Sequence, residues 1–462
     1  MLPTKFVERV KNTLGDDAER LLCELEYGEN VRAFRVNTNK ISTEDFEKIN
    51  TLDAKKIPHI PDGYYTNEEK PGNTPEHHSG MIYMQDPSAM SAVCAIPIER
   101  GMKILDCCAA PGGKSSQLSA YVGEEGVVVS NEYVSKRAAI LQSNLERMGA
   151  RSTVVTNLDA RELYKTYGEY FDVVVCDAPC SGEGMFRKNQ LAISEWSAEN
   201  VEMCAKRQTE IINSVEKCVA VGGLLMYSTC TFSLEENEMV VDRFLTEHNN
   251  FELVEVNENI KNITSDGINF DGAKHDLTGT RRFYPHISPG EGQFIALMRK
   301  TYSSDTEPVL HGKRRQASKL HAAKPSHEES EALRVAEDFL KKHLTHIPDK
   351  KLVYKNGMVR LCPDCPTPEY GVLMNGVCVG EVVKGRLVPH HQLFSAYGSM
   401  FKNKIDLPDG DIRLTYYIKG MEIELPEAED GYGVLMCDGC ALGGVKVSSG
   451  KGKNHYPKGL RQ

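Results

Sequence analysis

Two cysteines and an aspartate stand where two apolar runs of the sequence end, and side chains of these types can perform covalent catalysis. Asp177 and Cys180 follow the run FDVVVC, and Cys230 follows the run LLMYST. If both runs are strands of one parallel sheet, their carboxyl ends meet at the edge where open α/β sheets bind ligands. A thiolate is a strong nucleophile when positive groups or helix N-termini lower its pKa. Either cysteine alone is as readily a small buried hydrophobic residue, but the three residues together predict a catalytic site.

A loop rich in small residues, DCCAAPGGK, predicts a cofactor site at the same edge. Alanine and glycine let the backbone approach a ligand closely, and the following helix offers free N–H groups. Glu132 ends the next strand, where nucleotide-binding α/β folds place the acid that accepts hydrogen bonds from ribose. The loop has neither GxGxxG nor Walker spacing, so an adenosine ligand without a pyrophosphate, such as S-adenosyl-L-methionine, fits best. The predicted cofactor-binding residues are Cys108, Ala109, Ala110, Pro111, Gly112, Gly113, Lys114, Glu132, Asp159 and Asp177.

Simpler explanations exist for parts of this set. The loop is also compatible with a generic strand–turn–helix connection. Asp159 at the end of the third strand either receives an adenine amino group or caps the helix RELYKTYG, and taken alone the cap is favoured. Lys114 either belongs to the cofactor loop or is a solvated lysine at a helix start.

The elements that position these residues are typical of an α/β fold. From about residue 103 to 300, strand-like runs alternate with helical segments, which predicts βαβ units and a mainly parallel sheet. A small α/β cap precedes this region. The segment HGKRRQASKLHAAKPSH, which has no periodicity and no acidic residue, follows it as a basic linker.

Composition excludes several classes of protein. With 65 acidic and 55 basic side chains the net charge is −10. The last 22 residues nevertheless carry five basic and no acidic groups, so the net charge does not exclude binding to a nucleic acid. No segment approaches the ~18 consecutive apolar residues of a spanning helix, so we expect no membrane association. The N-terminus lacks a secretory signal, which predicts a cytoplasmic protein with its 14 cysteines reduced.

Several motifs closely resemble the Sun-type, RsmF-like RNA cytosine-C5 methyltransferases. They are FRVNTNK, YMQDPSAM, DCCAAPGGKSSQL, DAPCSGEGMFRK, YSTCTFSLEENE and RRFYPHISPGEGQFIALMR, which together cover most of residues 30–300. A cysteine in both the DAPC and the STC motif is highly specific for this family. Ser115 is a departure, since the family more often has threonine there, and Cys107 is an extra cysteine beside the matching Cys108.

The resemblance implies a covalent mechanism. Cys230 is expected to attack carbon 6 of cytosine, Cys180 to assist release of the product, and Asp177 to hold ring nitrogen 3 and the exocyclic amine. The base must be unpaired or flipped out of its stack to reach both thiols. The implied substrate is structured RNA, most readily 16S ribosomal RNA or the 30S subunit, and the implied enzyme is a monomer. A tRNA target, a non-catalytic RNA-binding or ribosome-assembly protein, and a small-molecule methyltransferase are the alternatives.

The resemblance also predicts the domain organisation. We expect a Rossmann-like, S-adenosylmethionine-dependent methyltransferase core with a small N-terminal α/β cap and a C-terminal PUA-like α+β module. The predicted domains are an N-terminal RNA-binding cap at 1–75, the methyltransferase domain at 76–300, the basic linker at 301–327, an intermediate small domain at 328–389 and the PUA-like RNA-binding domain at 390–462.

The C-terminal third holds two further candidate sites. The end KNHYPKGLR resembles the PUA-like module of RsmF-like enzymes, and the predicted RNA-binding residues are Lys453, His455, Tyr456, Lys458 and Arg461, although a solvated basic tail is the simpler alternative. Two CxxC pairs have the number and spacing of cysteines that are typical of a four-thiolate zinc site. These are Cys362, Cys365, Cys437 and Cys440. Reduced thiols without a metal are the favoured interpretation of the two pairs.

Overall fold

The computed structural model describes residues 1–303 and 326–461. Residues 304–325, most of the predicted basic linker, lie outside the described residues. Within the described ranges the strands form four sheets, one in the N-terminal region, one in the centre and two in the C-terminal region. None of the described helices has the length and apolarity that a membrane span needs.

The N-terminal region is an α/β cap whose sheet has the strand order β2-β3-β1-β4, with every pair antiparallel. Its elements are α1 (Thr4–Leu14), α2 (Ala18–Tyr27), β1 (Ala33–Val36), α3 (Thr43–Ile49), β2 (Ala54–Lys56), β3 (Gly63–Thr66), α4 (Pro75–His78) and β4 (Ile82–Met84). Because β4 pairs with β1, the cap sheet extends past residue 75, where the sequence placed the domain boundary.

The central region is built on a ten-stranded sheet in the order β11-β12-β13-β9-β8-β5-β6-β7-β16, with β10 paired to β13. Its helices are α5 (Pro87–Cys94), α6 (Gly113–Val122), α7 (Ser135–Arg147), α8 (Ala160–Tyr167), α9 (Gln190–Glu195), α10 (Ala198–Val215), α11 (Glu238–Glu247) and α12 (Glu258–Lys261). Its strands are β5 (Lys103–Asp106), β6 (Val127–Asn131), β7 (Thr153–Thr156), β8 (Phe171–Asp177), β9 (Val219–Thr229), β10 (Phe251–Leu253), β11 (Ser265–Asp266), β12 (Arg281–Phe283) and β13 (Gln293–Lys300). Strands β9, β8, β5, β6 and β7 run parallel, as the alternating pattern predicts.

The apolar runs form these strands because both faces of the sheet are covered. In β8, Val174 packs in one hydrophobic cluster, whereas Val173 and Val175 pack in the cluster on the opposite face. A strand buried on both sides has no solvent-facing positions, so its sequence is continuously apolar rather than alternating. The polar residues come where the strands end, at one edge of the sheet.

The C-terminal region adds two antiparallel-rich sheets, β14-β15-β17-β18 and β19-β21-β22-β23-β20. Its helices are α13 (His327–His343), α14 (His391–Tyr397) and α15 (Ile412–Ile418). Its strands are β14 (Lys351–Lys355), β15 (Met358–Cys362), β16 (Val372–Asn375), β17 (Val377–Val383), β18 (Arg386–Pro389), β19 (Lys404–Leu407), β20 (Ile423–Glu424), β21 (Gly431–Cys437), β22 (Cys440–Ser448) and β23 (Lys451–Asn454). One of them, β16, leaves this region and pairs antiparallel with β7 of the central sheet. The sequence did not predict that the intermediate segment contributes a strand to the central sheet.

Lys40, at the end of the FRVNTNK motif in the cap, forms hydrogen bonds with both the central and the C-terminal region. Its Nζ donates hydrogen bonds to the backbone oxygen of Arg147 in the central region at 3.2 Å and to Ser395 Oγ in the C-terminal region at 3.1 Å. Burial lowers the pKa of the Lys40 ammonium to about 7. The cap therefore contacts both other regions through one partly buried side chain.

Candidate active site

Cys180 and Cys230 lie side by side at the carboxyl edge of the central sheet. Strands β8 and β9 are parallel neighbours with Asp177 opposite Ser228, so the loops after both strands leave the sheet together. The two sulfur atoms are 3.1 Å apart. Contact with the Cys230 sulfur, reinforced by burial, raises the pKa of the Cys180 thiol well above its usual value.

Asp177 is fixed by three donors next to the thiols. Lys114 Nζ lies 2.8 Å from Oδ2, while Ser228 Oγ and Gln293 Nε2 donate to Oδ1 at 2.7 and 3.0 Å. Burial alone would lower the pKa of Lys114, but the carboxylate of Asp177 outweighs it and raises that pKa above the usual value. An ammonium and a carboxylate are thus held in one geometry beside Cys230, whose sulfur is also close enough to raise the Lys114 pKa.

A cleft of about 750 Å³ connects the thiols to the predicted cofactor loop. This size is within the range of sites that enclose small-molecule ligands. Of the predicted residues, Cys108, Ala110, Glu132, Asp159, Asp177, Cys180 and Cys230 line the cleft. Ala109, Pro111, Gly112, Gly113 and Lys114 belong to the same loop and to the first turn of α6. The structure thus brings seven of the predicted residues to one cleft, and the other five, which do not line it, stay predictions as cofactor contacts.

The loop that precedes α6 depends on glycine at Gly112. This residue has a φ of +112°, which L side chains rarely adopt, and a Cβ there would come within 3.1 Å of Leu141 Cδ1. Gly112 precedes the first turn of α6, whose leading N–H groups have no partner within the helix. Arg137 Nη2 donates to the backbone oxygen of Ala110 at 3.0 Å and holds the other side of the loop. Glycine at this position therefore lets the loop pack closely against α7.

Two of the predicted acids that line the cleft, Glu132 and Asp159, have different environments. Glu132 is 4% exposed, accepts a hydrogen bond from the backbone N–H of Val134 at 2.8 Å and lies 3.6 Å from Arg137. Asp159 caps α8 by accepting from the backbone N–H of Arg161 at 2.9 Å, and it pairs with the same arginine at 2.6 Å. The helix cap suggested for Asp159 is therefore what the structure shows, although the residue also faces the cleft.

Several residues of the cleft were missed by the sequence argument. Tyr133, which is 70% exposed, directly follows Glu132, and this adjacency was a usable signal for a ring beside the cofactor site. Arg207 reaches the cleft from α10, and Ile211 follows one helical turn later. No local signal marks these α10 residues, since a helix face becomes part of a site only through packing.

The chain matches known families in all three regions. Residues 93–299 match the family described as 16S rRNA methyltransferase RsmB/F, residues 2–87 the N-terminal domain of 16S rRNA methyltransferase RsmF, and residues 402–462 the methyltransferase RsmF PUA domain. Ribosomal RNA small subunit methyltransferase F of Vibrio parahaemolyticus is 32% identical over 449 residues, covering 93% of this chain and 91% of the relative. The chain belongs to the ribosomal RNA small subunit methyltransferase F family. The methyltransferase F protein of Shewanella oneidensis is 31% identical and covers 93% and 90% of the two chains.

Solved structures of other proteins with a similar fold are consistent with the assignment of the chain to the methyltransferase F family. A methyltransferase homolog from Pyrococcus horikoshii has a TM-score of 0.57 and 27% identity, with 64% of this chain and 95% of that chain covered. NSun6 from Pyrococcus horikoshii with SFG has a TM-score of 0.55 over 65% and 99% of the chains, and at 22% identity it shows the fold alone. The predicted Rossmann-like methyltransferase core with an N-terminal domain and a PUA module is confirmed. The chain is an RNA methyltransferase that depends on S-adenosylmethionine.

The structure corrects one predicted RNA contact of this methyltransferase F chain. Tyr456 is 2% exposed and its hydroxyl lies 2.8 Å from His78 Nδ1, so it packs against the cap instead of offering a ring to a base. Arg461 donates to the Tyr456 backbone oxygen at 3.0 Å. Lys453 and Lys458 are exposed and His455 is half-buried, so these three remain predictions.

The CxxC pairs do not assemble in the part of the chain that the structure describes. Cys362 ends β15, while Cys437 and Cys440 flank the turn between β21 and β22 of another sheet. Across the described ranges, no three or more His, Cys, Asp or Glu side chains gather as a metal site requires. The alternative of a four-thiolate zinc site thus has no geometric support.

Proposed function

We propose that this chain methylates carbon 5 of cytidine in RNA through a covalent bond between Cys230 and carbon 6 of the base. The observation that carries the proposal is the pair of sulfur atoms 3.1 Å apart at the end of the cofactor cleft. A buried structural cysteine does not need a second thiol and a fixed ammonium–carboxylate pair beside it. The resemblance of the two surrounding motifs to RNA cytosine-C5 methyltransferases assigns the roles.

The proposed chemistry follows from the poor nucleophilicity of carbon 5 in cytosine. Attack of the Cys230 thiolate on carbon 6 forms an S–C bond and turns carbon 5 into an enamine-like nucleophile, which splits one difficult step into two easier ones. The cofactor, when bound, supplies the methyl group as an electrophilic sulfonium. Loss of the carbon 5 proton, assisted by Cys180, restores the double bond between carbons 5 and 6 and expels the Cys230 thiolate. Asp177 holds nitrogen 3 and the amine, where charge develops during attack.

The residues present fit the cofactor that the fold implies. The buried carboxylate of Glu132 lines the cleft at the end of β6, where a ribose would be held, and Asp159 and Tyr133 lie at the same end. Cys108 and Ala110, which line the same cleft, would contact the rest of the ligand.

Two substitutions test the proposed roles. With radiolabelled cofactor and RNA, Cys230→Ala should abolish methyl transfer, because the proposal assigns the attack on carbon 6 to the Cys230 thiolate. Cys180→Ala should leave the first steps intact and accumulate an enzyme–RNA adduct that survives denaturing electrophoresis. Cys23→Ala, at an exposed cysteine of α2, is the matched control and should behave as the unsubstituted protein. An active Cys230→Ala enzyme would overturn the assignment.

The proposed substrate is ribosomal RNA of the small subunit, acted on by a cytoplasmic monomer. The names of the relatives and the PUA module support this choice over tRNA, which the catalytic residues alone do not exclude. The test compares methyl transfer to naked 16S RNA, to 30S subunits and to unmodified tRNA, followed by mapping of the modified position. Transfer to tRNA alone would contradict the choice, and transfer to none of them would favour a non-catalytic RNA-binding role.

A basic stripe on the C-terminal sheet is the proposed contact with RNA backbone. Lys446 and Lys453 are exposed and directly opposite each other on β22 and β23, and the Lys446 ammonium lies 5.3 Å from the centre of the Tyr432 ring. Removing one lysine–phosphate interaction should flatten the salt dependence of binding by about one in logarithmic slope. Lys446→Glu with Lys453→Glu should therefore weaken RNA binding and flatten that slope, whereas the control Lys355→Glu on β14 should do neither.

A further inference from the structure

The residues directly after the two thiols are hydrogen-bonded to each other. Ser181 comes immediately after Cys180 and Thr231 immediately after Cys230, and their hydroxyl oxygens are 2.9 Å apart. Ser181 is 8% and Thr231 1% exposed, so water does not compete for this bond. This contact between side chains therefore joins the two catalytic loops just beyond the sulfur atoms.

A buried carboxylate completes this contact. Glu236 is fully buried, and its Oε2 accepts from the backbone N–H of Ser181 at 2.9 Å while its Oε1 accepts from the Ser181 hydroxyl. Gln208 Nε2 donates to Oε2 at 2.8 Å and to the backbone oxygen of Pro179 at 3.1 Å. The carboxylate thus holds the loop of Cys180 from both sides of the cysteine.

The hydrogen bonds of this network have a direction. Since the Ser181 hydroxyl gives its one proton to Glu236, its oxygen accepts from the Thr231 hydroxyl. The chain of hydrogen bonds therefore runs from Thr231 through Ser181 to the carboxyl of Glu236, whose pKa is raised by burial to about 7. Loss of any member leaves a buried polar atom without its partner.

We propose that Glu236, acting through Ser181 and Thr231, is a positioning residue that fixes the distance between the two thiols and so controls the release step. This inference rests on the proposed covalent mechanism. Attack on carbon 6 requires Cys230 alone, whereas release requires Cys180 to reach the same base after the adduct has formed. A displacement of Cys180 relative to Cys230 therefore slows release more than attack.

The test separates the two steps. Ser181→Ala should still form the enzyme–RNA adduct within a few-fold of the normal rate, but its multiple-turnover rate should fall by about 100-fold, the effect of ~1 Å of misplacement. The adduct should accumulate on denaturing gels as it does for Cys180→Ala. Thr231→Val should behave in the same way, and Thr231→Ser, which keeps the hydroxyl, should restore turnover relative to it. Ser194→Ala, at a serine of α9 remote from the network, is the matched control.

The possible results are distinguishable. An undiminished turnover of Ser181→Ala and Thr231→Val, or an equal loss of adduct formation and turnover with no accumulated adduct, overturns the positioning role. Glu236→Ala provides a second test, since it removes the acceptor of the N–H groups of Ser181 and Gln208, and it should trap the adduct as well. If Cys180→Ala itself traps no adduct, the proposed mechanism fails; if Cys180→Ala traps it and the network variants do not, only this inference fails.

Discussion

Asp106 should make the stability of the protein depend on pH in a predictable direction. The residue ends β5, is 1% exposed, and accepts one hydrogen bond on Oδ2 from Ser115 Oγ at 2.7 Å. Its Oδ1 has no hydrogen-bond partner among the described residues. Burial raises the pKa of this carboxyl to about 7; the bond from Ser115 opposes the rise, and the charge of Asp177 adds to it.

The magnitude follows from the difference between the folded and unfolded pKa values. The unfolded chain releases the Asp106 proton near pH 3.8, whereas the folded protein keeps it to about pH 7. Because the native state binds more protons in this window, the free energy of unfolding falls as pH rises, by about 1.4 kcal/mol per unit. Well above pH 7, the free energy of unfolding is about 4 kcal/mol lower than it is at acid pH, where the carboxyl is protonated in both states. Asp106→Asn stays neutral and avoids this loss, so the native protein should lose about 2 kcal/mol more than the variant between pH 5 and 7.

Urea unfolding at pH 5, 6 and 7 measures this difference. The fluorescence of Trp196, the single tryptophan of the chain and a buried residue, reports on unfolding. Groups other than Asp106 titrate equally in both proteins and cancel in the comparison. Asp338→Asn, at an exposed position of α13, is the control and should keep the pH dependence of the unsubstituted protein. Parallel profiles for Asp106→Asn and the unsubstituted protein would refute the reasoning, because they would mean that Asp106 is already ionised in the fold at pH 5.

Two further outcomes are expected. Glu132→Ala should weaken binding of S-adenosylmethionine about tenfold to hundredfold in calorimetric titration, because hydrogen bonds to a charged acceptor contribute a free energy of that size. Unchanged affinity would show that Glu132 does not bind the cofactor. Tyr456→Ala should lower the free energy of unfolding by about 3–5 kcal/mol through the loss of a buried ring, whereas Tyr456→Phe, which loses only the bond to His78, should cost about 1 kcal/mol. A normal stability of Tyr456→Ala together with a loss of RNA affinity would reinstate the tyrosine as an RNA contact.

The strands of the central sheet and the position of the thiols could be predicted because both follow from short-range patterns. The run FDVVVCDAP predicts a strand that ends near Asp177, and β8 ends at Asp177. Once the order of the strands is given, the parallel sheet brings the residues after β8 and β9 together, whatever the rest of the chain does. The hydroxyl network of Ser181 and Thr231 arises in the same neighbourhood but depends on rotamers, which a sequence pattern does not specify.

The remaining features depend on contacts between distant parts of the chain. The burial of Tyr456 requires His78, which lies 378 residues earlier, and the motif KNHYPKGLR contains nothing that distinguishes a packed ring from an exposed one. In the same way, the pairing of Val372 with Thr156 joins segments that the composition places in separate domains. Local periodicity predicts that such segments are strands, and the complementarity of the folded surfaces decides which neighbour they take.

The position of β16 at the outer edge of the central sheet has a consequence for how the protein is made. Without β16, β7 would present a row of unpaired backbone groups, and such an edge recruits other chains. The sheet is completed only when residues 372–375 have been synthesised and have returned to β7. The central region is therefore not expected to fold stably without the C-terminal region. A chain that ended near residue 300 is expected to aggregate, even though every catalytic residue would be present.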